Sequence, residues 1–176
     1  MSHWIQCVIV SIVTCSTTAS AQRCGATCSS AETMLGVSEQ TLVATIPELR
    51  RLSRPVIGPR NSRGKWELPD IVFATQPYKM TYFIGVGVVN RIELLSTASR
   101  EQCMQKLPFD AALAELAKTY GESQVVGTSA DGGQSMQSIA FNTHAVDVSL
   151  HFSASEVACS TRIIYKTREV KDASEL

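Results

Sequence analysis

The sequence predicts an α+β domain: an antiparallel sheet of about five or six strands, one main helix packed on a face, and a short N-terminal helix. Three observations lead there. Residues 109–121 (FDAALAELAKTYG) place Phe109, Leu113, Leu116, Ala117 and Tyr120 at the spacing of one helical face. Residues 146–152 (VDVSLHF) alternate, with Val146, Val148, Leu150 and Phe152 on one side and Asp147, Ser149 and His151 on the other. Residues 78–95 read as two strands joined by the glycine-bracketed turn Gly85-Val86-Gly87. One-sided alternation is what an antiparallel sheet with one wet face requires, and the helix then covers the dry face.

Residues 1–21 read as a secretory signal peptide. Ile5 to Val13 is an apolar run broken by Gln6 and Ser11, and Ala19-Ser20-Ala21 supplies a small-residue cleavage pattern. The run falls short of the roughly 20 apolar residues that a membrane span needs. Cysteine lipidation would use Cys15, but Thr14 and Ile12 depart from the residues usual before a lipidated cysteine. Cleavage after Ala21 would send the chain to the periplasm or outside the cell. Residues 22–35 follow as a loosely ordered cysteine-containing arm, 36–167 as a single domain and 168–176 as a flexible charged tail.

The chain carries 16 Lys and Arg against 16 Asp and Glu, all beyond the leader. A neutral chain lacks the basic balance usual in nucleic-acid binders. Cys7 and Cys15 lie in the leader, which leaves Cys24, Cys28, Cys103 and Cys159. An even number in an oxidising compartment points to disulfides. Of the three possible pairings, Cys24–Cys28 as a local clip with Cys103–Cys159 as a long-range staple is favoured. On loop entropy the staple would contribute about 4 kcal/mol and the clip about 2. A redox or metal site fits less well: Cys-x-x-x-Cys is not the Cys-x-x-Cys of thioredoxin-like enzymes, and no histidine is near it in sequence.

In order along the chain, Ser38 is placed to cap a short helix with Leu42, Val43 and Ile46 on its apolar face. Pro47 ends it, though Leu49 and Leu52 prolong the pattern. Between Leu49 and Trp66 stand Arg50, Arg51, Arg54, Arg60, Arg63 and Lys65, with no acidic residue. Pro55, Gly58, Pro59 and Gly64 mark this stretch as an irregular loop. Arginine forks suit carboxylate or phosphate partners, and Trp66 offers an apolar anchor, so these seven residues are the candidate binding set. The plainer reading is a solvated loop whose charges balance acids elsewhere in the chain.

Residues 71–73 form a short strand ended by Gln76-Pro77, and Val89, Arg91, Glu93 and Leu95 share a face of the second hairpin strand. Residues 96–108 are a connector holding Cys103. Asp110 caps the main helix and Gly121 ends it. Residues 128–135 (TSADGGQS) read as a loop, 136–141 as a strand, and 157–167 as a last strand with Val157, Cys159, Thr161, Ile163 and Tyr165 on one face. No internal repeat stands out.

Catalytic chemistry is hard to find in these residues. His144 and His151, seven positions apart around a strand, would point to opposite faces and share no metal or acid–base site. No serine-nucleophile elbow or zinc-protease motif occurs, and Asp131-Gly132-Gly133 lacks the alternating acids of a calcium loop. The expectation is a non-enzyme without metal or cofactor.

Together, the entry helix at Gly36-Val37-Ser38, the hairpin YFIGVGVVNRIEL, the helix FDAALAELAKTYG and the closing strands with a late cysteine resemble small exported bacterial inhibitors and immunity proteins of the periplasm. The resemblance spans about residues 36–166 and implies a protein-binding role, without residue assignments. A short helix before a β-meander also resembles the small outer-membrane assembly lipoproteins, whose lipidated cysteine this leader does not offer.

Overall fold

Eight antiparallel strands in one sheet carry the chain, and the helices lie against one side of it. A computed structural model of the chain describes residues 31–143 and 145–168. A helical turn at residues 31–34 precedes α1 (Glu39–Thr45), and the first meander follows: β1 (Arg50–Ile57), β2 (Arg63–Phe73), β3 (Gln76–Gly85) and β4 (Val88–Ser96). Then come α2 (Arg100–Met104), α3 (Leu107–Tyr120) and a second meander, β5 (Gln124–Asp131), β6 (Gln134–Asn142), β7 (Val146–Ala154) and β8 (Cys159–Thr167). The strand order is β1-β2-β3-β4-β8-β7-β6-β5.

The sheet is therefore two four-stranded meanders joined along their last strands. β4 and β8 run antiparallel, with Glu93 opposite Ile164 at the middle of the seam. Each meander is preceded by helix, so the chain repeats its plan once about a pseudo-two-fold through that seam.

Eight strands replace the five or six expected. The two extra ones are β1 and β5, the outer edges; the sequence reads β1 as part of an irregular loop and residues 128–131 of β5 as the start of another. Strands become legible through alternation when one face is buried. Here every residue of β5 is exposed, and in β1 all but Leu52 are. Pro55 is tolerated because it lies in the stretch of β1 between Arg51 and Val56, where pairing with β2 is interrupted. Gly64 sits where a Cβ would press within 3.0 to 3.2 Å of the Thr81 and Phe83 side chains. The expected short strand 71–73 is only the end of β2.

Two-residue turns close three hairpins. Val86-Gly87 and Gly132-Gly133 both have positive φ, the geometry that matches strand twist. Ala74-Thr75 adopts it without glycine, so the turn falls before the break the sequence suggests at Gln76-Pro77, and those two residues open β3.

The dry face is built from cross-strand rows. Trp66, Tyr82, Ile92, Tyr165, Val148 and Phe141 are successive partners across six strands, and so are Leu68, Met80, Leu94, Ile163, Leu150 and Ile139. All but half-buried Trp66 are buried. Helix α3 covers β6, β7 and β8, seating Phe109 edge-on to Phe152 at 5.8 Å and Tyr120 against Phe141 at 6.2 Å. Tyr78 Oη donates to the Pro108 carbonyl at 2.9 Å, which ties the start of α3 to β3. Leu42 of α1 is fully buried in the same cluster, so both helices serve one core.

Several local expectations change. Asp110 lies in the first turn of α3 and is not its cap; the cap position is Lys106, in a left-handed conformation. Ala112 is buried where Ala117 was expected, and Ala117 is exposed. The connector 96–108 contains α2, opened by a capping box between Ser99 and Gln102. Asn90 is an extra residue between the pairs Phe83–Arg91 and Ile84–Val89, so Val89 turns into the core while Arg91 faces outward. Val157 precedes β8 and is 87% exposed. Ala31 is fully buried and Met34 and Leu35 pack on the core, so the ordered domain starts before Gly36.

Cys103 and Cys159 are disulfide-bonded, with Cα atoms 6.0 Å apart, and clip α2 to the start of β8. Cys24, Cys28 and the leader lie outside the described residues, as do His144 and the tail from 169 onward. Among the described residues, no helix is long and apolar enough to cross a membrane.

Candidate binding surface

The seven predicted residues share one hairpin, β1–β2, at the sheet's edge, but they divide into groups. Lys65 and Trp66 are engaged by α1: Glu39 accepts from Lys65 Nζ at 2.8 Å and from Trp66 Nε1 at 2.9 Å. These two bonds, the lysine first, hold the Glu39 carboxyl below its usual pKa. Arg51 lies over the Trp66 ring, its guanidinium carbon 6.0 Å from the centroid. Lys65 and Trp66 thereby fasten the hairpin to α1, and Arg51 packs on Trp66 within the hairpin.

Arg50, Arg54 and Arg63 are exposed. Together with Arg51 they form no ion pair with any described residue. Elsewhere Arg100, Lys106 and Arg168 also lack an ion pair with any described residue, but each donates to a neutral oxygen, of Glu156, Gln137 and Thr143 respectively.

The helix-free face of the sheet shows the contrast. Cross-strand rows there run Phe83, Arg91, Lys166, Asp147; then Thr81, Glu93, Ile164, Ser149; then Lys79, Leu95, Arg162, His151, Ser138. The four cations that β3, β4 and β8 place there are all paired. Arg91 Nε meets Glu93 at 2.6 Å, Arg162 meets the other Glu93 oxygen at 3.5 Å, Lys166 meets Asp147 at 3.4 Å and Lys79 meets Glu67 at 3.4 Å. His151 bridges Ser138 and Ser149, each at 2.9 Å, and burial, then Arg162 and Arg91, push its pKa down. Charge alternation on this face is internally satisfied.

Arg60 connects the two regions. The turn Pro59–Asn61 bends over the open face, with Arg60 and Asn61 both left-handed. It covers Phe83, which is 2% exposed, and a Cβ on Gly58 would approach that ring to 2.7 Å. Arg60 thereby joins Asn90, Arg91, Asp147 and Lys166 around a pocket of about 360 Å³, at the small end of ligand-sized cavities.

Sequence reading found the hairpin's cations but missed that Glu93 joins Arg91 to Arg162 and that Lys166 meets Asp147. Only strand register brings them together, and the signal was diffuse: single charges two residues apart on separate strands. Among the described residues, no group of three His, Cys, Asp or Glu side chains is placed to hold a metal ion.

A scan of protein-family models and searches of curated proteins and solved structures return no match to this chain, so its function is argued from this geometry.

Proposed function

We propose that the chain is a non-enzymatic periplasmic binding protein that recognises or neutralises another protein, in the manner of an inhibitor or immunity protein. Its docking surface is the β1–β2 hairpin, and the partner presents an acidic surface. One observation carries this reading: Arg50, Arg54 and Arg63 form no ion pair with any described residue, whereas the cations that β3, β4 and β8 place on the open face are all paired. Arginine presents a planar fork suited to carboxylates and is enriched where interfaces bind most strongly. The leader-like residues 1–21 support export.

The test is capture from the exported fraction by the tagged protein, alongside an Arg60→Glu, Arg63→Glu double variant. A stoichiometric protein partner, recovered by the wild type and lost with the variant, is expected, with binding that weakens as salt rises. Equal recovery by both proteins would remove the hairpin from the interface. Sedimentation with wall or membrane material, with no protein partner, would favour an envelope accessory role instead.

A further inference from the structure

The two edges of the sheet occupy equivalent places in the two meanders, yet they are protected very differently. An edge strand presents unpaired backbone groups, and natural sheets guard such edges with charge, proline or interrupted pairing. β1 has all three: Arg50, Arg51 and Arg54, then Pro55, with pairing to β2 interrupted between Arg51 and Val56. β5 (QVVGTSAD) has no cation and no proline, and its one charge is the terminal Asp131. Its pairing with β6 is interrupted only at Val126, and Gly127 to Asp131 pairs residue by residue with Ser138 to Gln134. Val125 and Val126 are 64% and 60% exposed.

We propose that β5 is an assembly edge, and that its occupant is β5 of a second copy of this chain, paired antiparallel about a two-fold axis. Self-complementarity favours the second copy. With Ser129 on the axis facing its own counterpart, Thr128 meets Ala130 and Gly127 meets Asp131, so no like charges oppose. Val126 and Val125 then lie opposite the partner's Gly132-Gly133 turn, where no side chain blocks them. The same pairing at β1 would set Arg50 against Arg54 about Leu52, or bring Pro55, which has no N–H to donate, against Arg51 about Ser53; both disfavour an open-ended chain of copies and leave a closed dimer. Joined this way the two sheets become one of sixteen strands, doubling the eight of each copy. The two β1 hairpins lie at its far ends, free for the partner proposed above, although the dimer does not depend on that reading.

One strand per copy makes a small interface, so the dimer is a concentration-dependent one. Sedimentation equilibrium of the full chain over a concentration series tests it. A mass rising from monomer toward dimer is expected. Ser129→Lys, which sets two cations face to face on the axis, weakens the association by about tenfold or more. Ser53→Lys on β1 leaves it unchanged. Because Ser129 is exposed, the variant keeps the wild-type melting temperature, which confirms that it folds. Backbone amides of 127–131 gain hydrogen-exchange protection as wild-type concentration rises, a readout independent of any variant. Monomer at every soluble concentration, a dimer indifferent to Ser129→Lys, or protection appearing elsewhere and not in β5 would each overturn the proposal.

Discussion

Glu39 is the residue on which the arginine hairpin hangs. It receives Lys65 and Trp66 from β2 while standing in the first turn of α1, where a carboxylate also suits the helix dipole. Charge-assisted bonds of this kind are worth more than neutral ones, though partial exposure of both ion-pair partners reduces the gain. Glu39→Ala is expected to lower stability by about 1 kcal/mol in urea unfolding at neutral pH. Because the folded carboxyl has a lowered pKa, its contribution is complete above the ordinary value of 4.5 and fades as pH falls through the folded value. The difference between wild type and variant should therefore shrink on acidification; a constant difference would mean that the charge is irrelevant.

His151 shows the same linkage for a base. Its lowered pKa means that the unfolded chain takes up the proton first, so stability falls as pH drops below about 6.5 and levels off below the folded value. His151→Gln, which keeps hydrogen bonding with Ser138 and Ser149 without titrating, should flatten that slope. An unchanged slope would place the sensitive group elsewhere.

Among the elements, α3 and the disulfide hold the second meander to the core. Phe109 and Leu116 are 1% exposed, and Phe109 stacks edge-on with Phe152. Phe109→Ala should cost about 3–5 kcal/mol, read as a shift of the unfolding midpoint. The Cys103–Cys159 link closes a separation of 56 residues, and Cys103→Ser should cost about 4 kcal/mol on the loop-entropy estimate. Melting with and without reductant checks it: reductant should destabilise the wild type and leave the variant unmoved.

Legibility in the sequence also divides by element. Helix α3 and strands β3, β4 and β7 were readable because each buries one face against the core, and burial imposes a period. Both edge strands were not: with little buried on either side, nothing constrains alternation, and Pro55, Pro59, Gly132 and Gly133 spoke for loops. The candidate site was half legible for the same reason. A run of arginines can be counted, but that they lie on a paired hairpin, with Lys65 and Trp66 turned toward Glu39, depends on register. The bulge at Asn90 is a sharper case, since one extra residue moved Arg91 to the face opposite Val89.

At the scale of the whole molecule, the β4–β8 seam makes one cooperative unit of two similar halves. Ile92, Leu94, Ile163 and Tyr165 meet across it and are each at most 1% exposed. Trp66, the one tryptophan among the described residues, reports on the first half, while far-UV circular dichroism averages over both. The two signals should fall together on unfolding, as expected for a single domain. Separate transitions would make the halves independent domains.

The same symmetry leaves two unlike edges, one armed with arginines and one bare, and the functional proposal rests on the first. Replacing Arg50, Arg54 and Arg63 together by alanine tests it most directly, with stability and partner capture measured on the same protein. With no ion pair to lose among the described residues, the variant should unfold within about 0.5 kcal/mol of the wild type, yet fail to recover its protein partner from the exported fraction. A clear loss of stability with capture intact would show that these arginines serve the fold, and would contradict a docking role for the hairpin.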